Sequence, residues 1–182
     1  MSEKTKVIIM RHGETDYTAE NKVLGNKNVP LNENGEKEAA KAAEKLAEEG
    51  VDLIYVSPLE RARKTGEIVA AKQEKNCTSM EMDCLREQDF GIYEGKSRDD
   101  ADYQAAKREF FKRYEGGESF ADVVARVYPF LDMILEKHAG KTILIVAHKG
   151  VCRVIANYFE DMENEEFATF DMEPCEYKIF EA

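Results

Sequence analysis

Two of the three histidines in this 182-residue chain, His12 and His148, directly follow short strand candidates, VIIMR (7–11) and ILIVA (143–147). Unbroken apolar runs of this length read as strands buried on both faces. In open α/β sheets ligands bind outside the carboxyl ends of the strands, so two imidazoles at such tips can face one ligand. Imidazoles there can attack, carry a proton or ligate a metal. Arg11, immediately before His12, adds a permanent cation and tilts the choice towards an anionic ligand. The third histidine, His138, ends a helical pattern just before Ala139 and Gly140, where a partly cationic side chain suits the helix dipole. It is assigned to structure. The four cysteines lack paired CxxC spacing and receive no chemistry.

These residues need a scaffold, and the pattern along the chain supplies one. Apolar runs at 6–10, 52–56 and 142–147 alternate with helical patterns at about 33–48, from Ser57, from Ser119 and after the last run. Alternation of this kind predicts a three-layer α/β sandwich with a mainly parallel central sheet and helices on both faces. Ser57, Pro58 and Glu60 read as N-cap, first helical residue and capping-box partner, and Ser119 with Asp122 repeats the signature. FATFDM (167–172) and EYKIFEA (176–182) read as edge strands. The length predicts one domain over 1–182, with a small helical excursion at about 96–117 serving as a lid.

Composition narrows the partners. A net charge of −11 disfavours nucleic acid and anionic membranes, so an anionic small substrate requires a locally positive pocket. The apolar runs are too short to span a bilayer and the polar MSEKTK start has no signal-peptide core, which predicts a cytoplasmic protein. Tyr158, Phe159 and Met162 read either as a homodimer patch or as core.

Five blocks, RHGET (11–15), SPLERARKT (57–65), LREQDFGIYEG (85–95), GES (117–119) and VAHKG (146–150), occur in the order found in the histidine phosphatase superfamily, the phosphoglycerate mutase-like proteins. The chain resembles that superfamily over nearly its whole length, and within it the compact bacterial-type members such as α-ribazole phosphatases and broad-specificity phosphatases. The resemblance implies that His12 is a nucleophile forming a phosphohistidine, that Arg11, Arg61 and His148 surround the phosphoryl group, and that Glu87 is the general acid and then base. It also implies Thr15 as a hydroxyl donor to the phosphate, and neither metal nor other cofactor. Glu14 is expected to brace an arginine, and Asp89 and Glu94 are rivals to Glu87.

Three departures from the family pattern bear on the site. Thr18 stands where relatives have Asn, keeping a hydroxyl for the phosphate but losing an amide. Asn28 replaces an acid in GNKNVPL, expected to matter for loop packing. Lys149 replaces the first glycine of HGG, so its backbone N–H reaches a phosphate only if the position does not require positive φ. Its side chain points either to the pocket mouth or to solvent. Within the family the pocket runs hydrolysis or mutase transfer. Only about twenty residues separate Gly95 from Gly116, too short a cover to exclude water well, so hydrolysis of a small phosphorylated metabolite is expected. Lys107, Arg108, Lys112 and Arg113 in that segment form either a basic lid surface or solvated partners for Glu109 and Glu115. Mutase transfer and a non-catalytic phospho-ligand module are the alternatives. A metal hydrolase using both histidines is opposed by the two arginines.

Overall fold

The computed structural model describes residues 4–74 and 77–182. Strands β1 (Lys6–Arg11), β2 (Leu53–Val56), β3 (Ser79–Glu81), β4 (Thr142–Ala147) and β5 (Tyr177–Glu181) form one sheet in the order β3-β2-β4-β1-β5. All neighbours are parallel except β5, which runs antiparallel to β1 at the edge.

The apolar runs serve two cores because strand side chains alternate between faces. Ile8, Met10, Ile54, Val56, Leu144 and Val146 pack on one side, against the helices α2 (Glu33–Leu46) and α3 (Glu60–Ala70). Val7, Ile9, Tyr55, Ile143, Ile145 and Ala147 pack on the other, against α5 (Phe120–Lys137) and α6 (Lys149–Phe159). The expected three-layer sandwich is therefore observed, with a mixed sheet. Tyr158, Phe159 and Met162 pack against the second of these cores. No helix is long and apolar enough to cross a membrane among the described residues.

Two local expectations fail. Residues 167–169 of FATFDM belong to the helix α7 (Asn164–Thr169), opened by a capping box between Glu163 and Glu166. Phe167, inside the helix, and Phe170, at its C-cap, are both buried. Ser57 does not cap α3 either. The helix begins at Glu60, whose N–H is taken instead by the side chain of Asn28, 2.8 Å away and 32 residues earlier. An orphan donor at a helix start accepts any well-placed oxygen, near or far in sequence. At Ser119 the expected capping box with Asp122 is present.

The segment after Gly95 leaves the sheet. It contains one short helix, α4 (Ala101–Ala106), and an aromatic cluster in which Tyr103 and Tyr114 are buried with Val23 against Phe90 and Tyr93. Backbone bonds from Val23 to Lys96 (2.8 Å), from Gly95 to Val23 (2.7 Å) and from Arg98 to Asn21 (2.8 Å) tie this cover to the loop after β1.

Candidate active site

Strands β1 and β4 are adjacent and in register, Arg11 opposite Ala147, and the His12 N–H continues the ladder to the Ala147 carbonyl at 3.0 Å. The residues immediately beyond these two strand ends are therefore His12 and His148. Their rings lie 5.1 Å apart, both buried, at the carboxyl edge of the sheet. The topology alone thus juxtaposes imidazoles separated by 136 residues.

Each ring is oriented by a different partner. His12 Nδ1 lies 2.7 Å from the Gly13 carbonyl, which can only accept, so Nδ1 carries the proton and Nε2 is left with its lone pair. Arg61 Nε donates to that Nε2 at 3.2 Å. The two other arms of the Arg61 guanidinium donate at 2.7 Å to the carbonyls of Gly25 and Lys27. His148 Nε2 lies 2.8 Å from Ser57 Oγ. That hydroxyl also accepts from the Leu59 N–H at 3.3 Å and keeps its own proton to donate; in the tautomer where it donates to His148 Nε2, Nδ1 carries the ring proton. Ser57 is thus a support for His148.

Burial and the cations Arg61 and Arg11 hold the His12 pKa well below its ordinary value. Burial, then Arg61 and His12, does the same for His148. Both rings are neutral near pH 7. Two buried polar atoms here have no partner: Arg11 Nε, an N–H donor, and His148 Nδ1, a donor in the tautomer whose Nε2 accepts from Ser57. Arg11 is steadied by a 2.6 Å bond to the Met172 carbonyl.

The loop carrying His12 is fastened from below. Thr65 Oγ1 donates to the Arg61 carbonyl at 2.7 Å and accepts from the Gly13 N–H at 3.2 Å, joining α3 to the β1 loop. Gly13 lies so close to Gly35, at the start of α2, that a Cβ would come within 2.5 Å of the Gly35 carbonyl oxygen. Backbone is packed directly on backbone here, which fixes the height of His12 above the sheet.

Glu87 enters from the loop after β3. Its carboxylate accepts from the Gln88 N–H at 2.9 Å and the Gly150 N–H at 3.2 Å, and its own carbonyl accepts from Arg126 at 3.3 Å. Arg126 is in turn paired with Glu118. His12, Arg11, Arg61 and Glu87 all line one cavity of about 450 Å³ at this edge.

The family behind this geometry follows from the sequence match. The model for the Histidine phosphatase superfamily (branch 1) matches residues 7–182. The chain belongs to that superfamily. Phosphoglycerate mutase-like protein 4 of Arabidopsis thaliana is 35% identical over 162 residues, 81% of this chain and 68% of the relative. A metal-independent phosphoserine phosphatase, also from A. thaliana, is 33% identical over 166 residues, 85% of this chain and 68% of the relative. Among solved structures, a phosphoserine phosphatase of Entamoeba histolytica in complex with 3-phosphoglyceric acid superposes with a TM-score of 0.83 at 25% identity, covering 97% of this chain and 90% of that one. Enzymes of the superfamily are phosphatases or phosphoglycerate mutase-like.

Thr15, Thr18 and Glu14 differ from what the family pattern led us to expect. Thr15 is fully buried and off the cavity wall; its hydroxyl caps the short helix α1 (Asp16–Ala19) by accepting from the Thr18 N–H at 3.2 Å. Thr18 reaches the cavity, but its hydroxyl closes the same capping box by accepting from the Thr15 N–H at 2.9 Å, and it donates its proton to the Thr15 carbonyl at 2.9 Å. Neither hydroxyl is free for a phosphate in this arrangement. Glu14 braces no arginine; it accepts from the amides of Asn32 (2.9 Å) and Asn34 (3.3 Å). Asp89 and Glu94 are spent on backbone, accepting from Gly91 and from Asn26. Lys149 is the first residue of α6 and is not among the positive-φ residues, so its backbone suits a side chain without strain. Its amine pairs with Asp171 at the cavity wall. Of the basic residues in the cover, Lys112 pairs with Glu109, Arg113 with Asp122 and Arg108 with Glu165.

Sequence reasoning overlooked Gly150. A Cβ there would stand 2.6 Å from Glu87 Oε1, so only glycine lets the carboxylate rest on the start of α6. In Gly150→Ala the carboxylate, a mobile side-chain end, has to move, while an alanine inside a helix gains up to ~1 kcal/mol over glycine. We expect unchanged or higher stability in urea with kcat lowered ~10–100-fold, the signature of a displaced acid–base group. Equal kcat in the two proteins would show that the position of Glu87 is immaterial.

Proposed function

We propose that this protein is a phosphomonoesterase that hydrolyses a small phosphorylated metabolite through a phosphohistidine at His12, without a metal. The observation that carries the reading is the protonation pattern around His12: Nδ1–H is tethered to the Gly13 carbonyl and the Nε2 lone pair faces cations. A neutral imidazole attacks phosphorus without first losing a proton. As the phosphoryl group moves onto Nε2, charge spreads over its equatorial oxygens, and the donors Arg11 Nε, His148 Nδ1–H and Arg61 are disposed to receive it. Glu87, shared between two backbone N–H groups on the same cavity, protonates the departing oxygen and then takes a proton from the water that attacks the phosphohistidine. The Lys149 backbone N–H, at the first position of α6, adds a donor at a helix start. The phosphoserine phosphatase relatives, one of them named metal-independent, support this chemistry.

Mutase transfer is a second reading, favoured by the further basic residues, Arg98, Lys107 and Arg153, that line the cavity with His12 and by the mutase-like relative. Both are tested in one experiment. In excess EDTA, aryl phosphate and 3-phosphoglycerate are offered with and without 2,3-bisphosphoglycerate. Release of inorganic phosphate with no 2-phosphoglycerate formed is the expected result. Isomerisation faster than phosphate release would establish the mutase, and loss of turnover in EDTA that returns with added divalent metal would sink the metal-free mechanism.

A further inference from the structure

Glu87 sits on an irregular loop between two short 3-10 turns, Asp83–Leu85 and Gly91–Tyr93. With no ladder or helix to fix it, such a loop takes its position from the groups that satisfy its backbone. Here those groups converge on two side chains. Arg126, on α5, donates through Nη1 to the Cys84 carbonyl at 2.5 Å and through Nη2 to the Glu87 carbonyl at 3.3 Å. The same guanidinium holds both carboxylate oxygens of Glu118, from Nε at 3.1 Å and from Nη2 at 3.0 Å. Glu118 then bonds the loop beyond the acid. Its carboxylate accepts from the Asp89 N–H at 3.0 Å, its own N–H donates to the Asp89 carbonyl at 2.8 Å, and its carbonyl accepts from the Gln88 amide at 3.2 Å. The backbone is therefore held before Glu87, at Glu87 and after it by one ion pair.

That pair supports the site without touching a ligand. Neither Arg126 nor Glu118 lines the cavity, and their side chains are 22% and 27% exposed. A partly buried arginine and glutamate contribute little more to stability than apolar side chains of like volume. What they add is geometry, because a fork engaging two carbonyls and a carboxylate at once admits a single orientation. General acid catalysis depends on such geometry, since the proton must lie within hydrogen-bond reach of the oxygen that leaves. A displacement of ~1 Å can cost ~100-fold in rate.

We propose that Arg126 and Glu118 are positioning residues for Glu87, the pair that sets its carboxylate against the leaving oxygen. The assignment rests on the acid role given to Glu87 in the phosphatase reading. Two esters of similar shape separate acid catalysis from the other contributions: phenyl phosphate, whose phenolate leaves poorly without a proton, and 2,4-dinitrophenyl phosphate, whose leaving group needs none. An effect exerted through His148, which faces the phosphoryl group common to both, would slow the two alike. We measure kcat/KM, which reports transfer to His12, in the native protein, Glu87→Gln, Arg126→Lys and the double variant Glu118→Met/Arg126→Met. The double variant leaves neither charge unpaired and preserves the net charge, so it remains folded and the field at His148 changes little. In Glu87→Gln, phenyl phosphate is expected to lose ~100-fold or more and the dinitrophenyl ester less than ~10-fold. The double variant should lose ~30-fold or more on phenyl phosphate and less than ~3-fold on the dinitrophenyl ester, while still unfolding cooperatively in urea. Arg126→Lys keeps the charge and loses the fork, and should shift the ratio of the two esters in the same sense by ~10-fold or more. Equal losses on the two esters, the mark of a merely structural pair, would overturn the assignment, as would a native ratio in either variant. If Glu87→Gln treats both esters alike, or no ester is turned over, the acid role fails on its own. Positioning is then read from amide exchange at Gln88 and Gly150, whose N–H groups bond the Glu87 carboxylate. Faster exchange of both in the double variant supports it, and unchanged exchange overturns it.

Discussion

His12→Asn folds and loses turnover by a factor of ~10⁴ or more, the scale expected when a covalent nucleophile is removed from an otherwise intact site. Asparagine is the apt replacement because its amide nitrogen can keep the bond to the Gly13 carbonyl that His12 Nδ1 makes at 2.7 Å. The loop is then held while the attacking atom is gone. Label from a ³²P-phosphate ester, quenched in alkali, is expected on the native protein and absent from the variant. Spectroscopy offers a second check on the same residue. Burial, Arg61 and Arg11 push the His12 pKa down, so its ring proton signals should not titrate around the ordinary histidine value. A titration centred near the ordinary histidine value of ~6.5 would mean that burial and the two arginines leave the ring unshifted, which would undo the electrostatic account of the site. Turnover surviving in His12→Asn would remove the phosphohistidine from the mechanism altogether.

The parts of this site that were legible in the sequence are those fixed by short-range patterns. A run such as VIIM reads as a strand buried on both faces, and parallel pairing of β1 with β4 then brings His12 and His148 together. Ser119 and Asp122 cap α5 because the capping box is complete within four residues. Ser57 carried the same local signature and did something else, since Asn28 took the helix start and His148 took the hydroxyl. Those partners lie 32 and 91 residues away, beyond the reach of a local pattern. The hydroxyls of Thr15 and Thr18 failed in the opposite sense: a local capping box claimed groups that the family pattern assigned to a ligand. Gly150 and Arg153 were invisible for a further reason. One matters because a Cβ there would meet Glu87 at 2.6 Å, the other packs on two phenylalanines from α5 and α7, and neither relation has a sequence spacing.

Arg61→Lys tests whether position 61 needs a fork or only a charge. Arg61 is fully buried, with its three donor arms spread over His12 Nε2 and the carbonyls of Gly25 and Lys27. Burial lowers its pKa from 12.5 to about 10, so it remains a cation at neutral pH. A lysine head cannot span the same three acceptors, and a buried ammonium sheds its proton more readily. At least one of the two loop carbonyls is then left without a partner, at a cost of ~1–3 kcal/mol. Removal of a single transition-state donor typically costs ~10²–10³ in kcat, and Arg61 also sets the loop beside the nucleophile, so a loss of ~10³ in kcat/KM is expected. The chain contains no tryptophan, so stability is best followed by circular dichroism in urea. Both losses should appear together in Arg61→Lys. A lysine variant of native stability and near-native kcat/KM would show that charge alone suffices, and the fork that joins His12 to the 25–27 loop would have no part in catalysis.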